Sequence, residues 1–289
     1  MPTPQPPGGF AITPLQADEV PTLREWARDE GWNPGLHDID IAWRLDPDAF
    51  LALRQENELV GGGTIFSHHG GFGFMGLFIV RPEMRGKGLG TALWFHRRDA
   101  LLARLSPNAS IGMDGVFDMV PFYQRGGFEL AYRDLRFDGI ASGEPDPTVI
   151  DAETVSFAQL DALDTQHFPT SRSEFLRSWL AAPGTNSAAV IEDGILMGFG
   201  VTRACEQGHR FGPVIAMNGD VALRIVSTLM HRVEGQPVQI DVPEINEAGL
   251  AIAQRFDMTE SFGCARMYLG GIPNLEIGNV YGVTSFEFG

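Results

Sequence analysis

Between an apolar run and a helix-forming run, Arg85-Gly86-Lys87-Gly88-Leu89-Gly90-Thr91 sets three glycines in alternation with other residues. Glycine lets a backbone approach a ligand closely, and the first turn of a helix offers free N–H groups with partial positive charge. Together these make an anion site suited to a pyrophosphate. Residues 81–104 add Arg81, Arg97, Arg98 and Arg104 against only Glu83 and Asp99, a basic island in a chain of net charge −16. Lys87, within it, is the only lysine. Two better-known glycine loops are excluded. The last glycine of Gly-x-Gly-x-x-Gly would fall on Thr91, and Gly88 follows Lys87 where a mononucleotide P-loop needs Ser or Thr.

Such a loop needs elements to hold it. Residues 73–80 read as a strand ending in a Pro-punctuated turn, and 88–105 as a long helix with Leu89, Leu93, Leu101 and Leu105 among its apolar positions. Upstream, the patterns predict a strand at 10–15, a helix at 17–31 and a hairpin of 50–55 with 59–66. Downstream come a strand at 110–117, a helix about 119–125 and a strand at 129–137. Residues 139–147 are rich in turn formers and poor in core formers, and read as a linker. Beyond it the order recurs: a hairpin of 188–191 with 195–203, a strand at 210–216, a helix at 220–233, a strand at 238–242, a helix at 247–255 and a last strand at 260–268. The alternation makes the fold class α/β (α+β). The repeat is sharpest at Tyr123-Gln-Arg125 and Ala253-Gln-Arg255, each just before a final strand.

The glycine loop, preceded by a hydrophobic strand and a Val-x-Pro turn, resembles the acetyl-CoA motif of GNAT-type N-acetyltransferases, Arg/Gln-x-x-Gly-x-Gly/Ala. Phe122-Tyr-Gln-Arg-Gly-Gly-Phe128 is similar to a second signature of that family, Leu-Tyr-Glu-Lys-x-Gly-Phe, although Val116 stands where the longer motif has Asn. Over nearly its whole length the chain also resembles bacterial two-unit GNAT proteins with a divergent C-terminal half. The resemblance implies tandem GNAT folds, each a mixed, mostly antiparallel twisted sheet flanked by helices. It places a disordered tail at 1–9, a catalytic unit at 10–138, the linker at 139–147 and a degenerate unit at 148–289.

It further implies an acetyl-CoA-dependent N-acetyltransferase without a metal. Phe78, Ile79, Val80, Arg85, Gly86, Lys87, Gly88, Leu89, Gly90 and Thr91 would bind the co-substrate, with a backbone N–H near Ile79 or Val80 polarising the thioester carbonyl. Tyr123 would be the general acid for the leaving thiolate, since a phenol with pKa ~10 is still protonated at neutral pH. No motif assigns the base. Asp114, His68 or His69, and Asp241 at the matching place in the second unit are the candidates, and Trp32 either walls the acceptor pocket or plugs the core. In the second unit Ala253 takes the tyrosine position, and Ala216-Met-Asn-Gly-Asp220 replaces the glycine loop with a carboxylate that would repel a phosphate. One co-substrate per chain is therefore expected.

Composition narrows the partners. The 289 residues are 44% hydrophobic and 20% charged, an ordinary globular balance. With 21 basic against 37 acidic residues, nucleic acid and anionic membranes are poor partners. No run reaches the ~18–20 apolar residues of a membrane span. Two cysteines suggest no disulfide framework, the N-terminus has no signal-peptide pattern, and the cytoplasm is the expected compartment. The expected acceptor is a small-molecule amine, with the protein a monomer or homodimer. Acetylation of a protein lysine or N-terminus, and a non-catalytic acyl-CoA sensor, are the alternatives.

Overall fold

A computed structural model describes residues 3–289. The first unit runs β1 (Phe10–Pro14), α1 (Val20–Asp29), α2 (Asp38–Leu45), β2 (Phe50–Gln55), β3 (Glu58–His68), β4 (Phe72–Val80), α3 (Leu89–Arg104), β5 (Ile111–Gly115), α4 (Val120–Arg125) and β6 (Glu129–Ile140). The second runs β7 (Val149–Asp151), α5 (Phe157–His167), α6 (Ser173–Leu180), β8 (Asn186–Glu192), β9 (Ile195–Ala204), β10 (His209–Ala216), α7 (Gly219–Arg232), β11 (Pro237–Pro243), α8 (Glu247–Arg255), β12 (Thr259–Leu269) and β13 (Val280–Gly282). The expected strands and long helices are present, whereas α2, α5 and α6 are additions. Of the tail expected at 1–9, the first two residues lie outside the described residues. From Thr3 the chain is placed, and the Thr3 hydroxyl donates to the Asp99 carboxylate on α3.

The two units share one 13-stranded sheet, in the order β1-β2-β3-β4-β5-β12-β6-β11-β10-β9-β8-β7, with β13 beside β10. Pairing is antiparallel except at β4–β5 and β10–β11. The last long strand of each unit is exchanged. β12 lies between β5 and β6, with Ala265 opposite both Gly115 and Arg133. β6 in turn pairs with β11, from Asp134 opposite Pro243 to Ile140 opposite Pro237. The boundary expected at 138/148 therefore separates the units along the sequence but does not divide the sheet, and β6 carries strand structure to Ile140 inside the expected linker.

Packing follows the apolar spacing. α3 turns Leu89, Leu93, Trp94, Arg97 and Leu101 inward, steps of three and four residues that share one helical face. On the opposite face of the sheet a single core joins the units: Leu23, Ile39 and Phe50 pack in one cluster with Phe175, Trp179, Phe199 and Phe288. Full burial of each such side chain is worth about 1.5–3 kcal/mol, so this shared core helps hold the two halves together.

Candidate active site

Strands β4 and β5 pair only at Gly73–Ile111 and Phe74–Gly112 and then part. Just beyond, β4 bulges. Thr64 faces Gly76 and Gly62 faces Ile79, leaving extra residues on β4, and Leu77 takes a φ of +50°. The parting opens a cavity of about 570 Å³. Its walls bring together Trp32, Phe78, Ile79, Val80, Arg85, Gly86, Gly88, Gly90, Thr91, Asp114 and Tyr123 from the residues that the sequence singled out.

The glycine loop sits at one end. Gly86 and Gly88 have φ of +77° and +79°, and a Cβ on either would project into open space. α3 starts at Leu89 with no side chain capping it, so its first N–H groups are left for a ligand. Arg85 is anchored, donating to the Val80 carbonyl at 2.8 Å and pairing with Glu30. Lys87 is exposed beside Met84, and Leu89 packs in the core with Leu53, Val60, Val80 and Leu93. The matching helix of the second unit is closed, because the Asn218 side chain caps α7 by accepting from the Val221 N–H at 3.0 Å. Gly88→Val is expected to weaken acetyl-CoA binding at least tenfold while the protein still folds. Its β-branched side chain would fill the approach to the α3 N-terminus, and the left-handed backbone costs a residue with a Cβ about 1–2 kcal/mol. Calorimetric titration beside a thermal melt checks this, and wild-type affinity in the variant would remove the loop from the site.

Tyr123 stacks on Trp94, with ring centroids 5.7 Å apart. Burial pushes its phenol up to about 12, partly offset by the nearby Arg97. Asp114 reaches the cavity from β5, but Arg266 of β12 grips it through two bonds of 2.6 and 2.7 Å. Burial raises its carboxyl against that pull.

The other base candidates, His68, His69 and Asp241, are elsewhere, none of them on the wall of this cavity. His68 lies outside this cavity, at a second, smaller one, and packs against Phe66, Phe72, Phe168 and Phe175. Burial, helped by Arg172, lowers its pKa to about 3, so it is neutral. Asp241 is fully buried between two arginines. It accepts from Arg136 at 2.7 and 3.0 Å and from Arg210 at 3.0 and 2.7 Å. Burial works to raise its pKa, and the two guanidiniums overcome this to hold it at about 2. A carboxylate engaged in that way is a structural anion.

Three contributions were not assigned to the site by the sequence, although Arg97 stood in the basic island of residues 81–104. Phe262 and Cys264 come from the exchanged β12, and Phe286 and Glu287 from the strap 283–289. The strap lies so close to β4 that a Cβ on Gly76 would collide with the Glu287 carbonyl oxygen. Buried arginines of the second unit pin it: Arg203 donates to the Thr284 carbonyl at 2.8 Å, and Arg172 to the Thr284 hydroxyl at 2.7 Å and the Gly289 carbonyl at 2.9 Å. Glu287 is buried, with Oε1 3.5 Å from Arg210 and Oε2 without a hydrogen bond among the described residues. The third contribution is Arg97, a wholly buried guanidinium on the cavity wall.

Known proteins share this arrangement. The acetyltransferase (GNAT) family model matches residues 17–128, and an acetyltransferase (GNAT) domain model matches residues 160–282. The uncharacterized N-acetyltransferase YitH of Bacillus subtilis (strain 168) is 31% identical over 239 residues, 79% of this chain and 80% of YitH. The chain belongs to the GNAT family of acetyltransferases. It is an acyltransferase built of two GNAT units. The holothin acyltransferase of Pseudoalteromonas sp. (strain SANK 73390) is 26% identical over 280 residues, 96% of this chain and 93% of that protein. A candidate acetyltransferase structure from Pyrococcus horikoshii superposes with a TM-score of 0.83 at 20% identity, over 98% of this chain and 96% of that one. The tandem GNAT protein from the clavulanic acid biosynthesis pathway gives 0.63 at 15% identity, over 92% and 100%. Both share the fold. The GNAT fold implies acetyl-CoA as co-substrate, and the open turn of Gly86 and Gly88 at the uncapped start of α3 fits its pyrophosphate.

Proposed function

We propose that this GNAT protein transfers an acetyl group from acetyl-CoA to the primary amine of a small molecule. The observation that carries the reading is that Phe262, Cys264, Phe286 and Glu287 of the second unit line one cavity together with the glycine loop of the first. That adds a wall to the acceptor end and suits a compact acceptor more than a protein chain. Aromatic walls with carboxylates among them suit an ammonium on an apolar body. The relative named holothin acyltransferase points the same way. The buried, unpaired Cys205 and Cys264 suit a reducing cytoplasm.

Bound there, acetyl-CoA supplies an acetyl thioester open to attack by an amine. Arg85 and the N–H groups at the start of α3 hold the pyrophosphate, and a backbone N–H at Ile79 or Val80 is offered to the carbonyl oxygen. Glu287, with one free carboxylate oxygen, takes the proton that the acceptor ammonium must lose. Tyr123 keeps its proton at neutral pH and gives it to the departing sulfur. Tyr123→Phe retains the ring on Trp94 and removes that proton. It should lower kcat by roughly 10–10⁴-fold with acetyl-CoA affinity nearly unchanged. Thiol release across a panel of primary amines is the measurement. An unchanged kcat with a raised KM would make Tyr123 a wall of the pocket, and no thiol release by the wild type would favour the sensor alternative.

A further inference from the structure

α3 carries a feature that a cofactor helix does not need for packing. Arg97 points into the protein and is 0% exposed, yet among the described residues it has no carboxylate partner. Its Nη2 donates to the carbonyls of Thr64 on β3 and Gly76 on β4, at 2.6 and 2.5 Å. Thr64 and Gly76 are register partners next to the β4 bulge, so one guanidinium nitrogen ties the two strands together there. Room for it exists because residue 63 is glycine, since a Cβ there would press on the guanidinium at 2.6–2.9 Å. The ring of Phe78 lies 5.3 Å from Cζ. Nε and Nη1 have no hydrogen-bond partner among the described residues. A buried charge without a counter-ion is costly. Burial accordingly lowers the affinity of Arg97 for its proton, to a pKa of about 9, which still leaves it charged at neutral pH.

A cost of that kind is understandable where a negative charge appears transiently. We propose that Arg97 is a positioning and charge-stabilising residue: a fixed cation behind the bulge of β4 that stabilises the negative charge of the thiolate leaving group. This rests on the acetyl-CoA reading of the site. In the transfer, the acceptor nitrogen forms the new C–N bond with its lone pair. The C–S bond breaks, and its electron pair leaves with sulfur. The phenolic proton of Tyr123 passes to sulfur, and the surplus proton of the acylated nitrogen restores the phenol. Negative charge thus resides first on sulfur and then on the tyrosine oxygen, both in the cavity that Arg97 lines. Arg97 exchanges no proton. It acts through a low-dielectric interior, where a charge is felt more strongly than in water.

The other titratable groups on the cavity wall do not supply this charge. Asp114 is held by Arg266, Arg85 by Glu30, Glu287 is a carboxyl and brings no positive charge, and Tyr123 and Cys264 are acids whose pKa values burial raises.

The test needs no acceptor. Coenzyme A is bound to the full chain, and the ultraviolet absorbance of its thiolate is followed against pH. The bound thiol should ionise at least tenfold more readily than free coenzyme A. The Arg97→Met variant should lose most of that gain, and Arg97→Lys, which keeps the charge, should retain part of it. A bound thiol that titrates like free coenzyme A on the wild type overturns the proposal even if the variants do not fold, and so does an undiminished gain in Arg97→Met. Failure of the wild type to bind coenzyme A is a different result, which removes the acetyl-CoA reading and the proposal with it.

Discussion

Residues 1–140 expressed alone are expected to be insoluble or to lack a cooperative melt, and residues 141–289 alone likewise. Each fragment would lose the strand that its partner lends. Without β12, the edges of β5 and β6 lose their neighbour on that side, and without β6 the edge of β11 does. Exposed strand edges of this length invite aggregation. The core that joins Leu23 and Phe50 to Trp179 and Phe288 would also be cut open. Coexpressed from two genes, the fragments should copurify as a complex with one of each, and thermal denaturation of that complex should resemble that of the intact chain. A soluble, monomeric 1–140 fragment that melts cooperatively and binds acetyl-CoA would show that the first unit is self-sufficient.

Asp241→Ala should destabilise the protein by about 3–5 kcal/mol, because it leaves two fully buried guanidiniums, Arg136 and Arg210, without their shared carboxylate. The milder Asp241→Asn isolates the charge. Asp241 has a folded pKa of about 2, below the ordinary 3.8. A depressed carboxyl contributes stability that is fully present above the ordinary value and is lost as pH falls through the folded one. The advantage of wild type over Asp241→Asn should therefore shrink between about pH 5 and pH 2, by on the order of 2 kcal/mol. Asp114 and Asp134, whose carboxyls burial raises with help from the Asp241 charge, act in the opposite sense, and the part of their rise that Asp241 causes reduces the difference. Urea midpoints at several pH values measure it. An advantage that does not change with pH would mean that Asp241 acts through packing and not through charge.

The readable parts of this molecule were those whose determinants lie close together in sequence. The glycine loop, its strand and its helix lie within residues 72–104, and their chemistry follows from backbone conformation and local charge. The repeat was legible because Gln-Arg recurs before each final strand. What lay beyond reach depends on partners far along the chain. Asp241 looked like a base candidate by its place in the second unit, but its fate is set by Arg136, 105 residues earlier. His68 ends the hairpin as expected, yet Phe168 and Phe175 from the other unit bury it. α2 has only eight residues, too few for a clear helical period, and its buried Asp38 is tied to Arg203 on β9. Strand β12 was visible as a strand, but nothing in its alternation says which strands it joins. Phe262, Cys264, Phe286 and Glu287 reach the cavity only through that pairing and through the strap.

The exchange of β6 and β12 also gives the order of synthesis a physical meaning. When Ile140 has left the ribosome, every strand and helix assigned to the first unit exists, but the sheet beside β5 cannot be completed until Leu269 emerges. At ~5–20 residues per second that interval is roughly 6–26 s, far longer than the microseconds in which hairpins form. The nascent first unit must spend that time with an incomplete sheet, so its lifetime against misassociation depends on translation speed across residues 141–269. Slow codons placed in that stretch would lengthen the exposure, whereas in most two-domain proteins a pause after the first domain gives it time to finish folding.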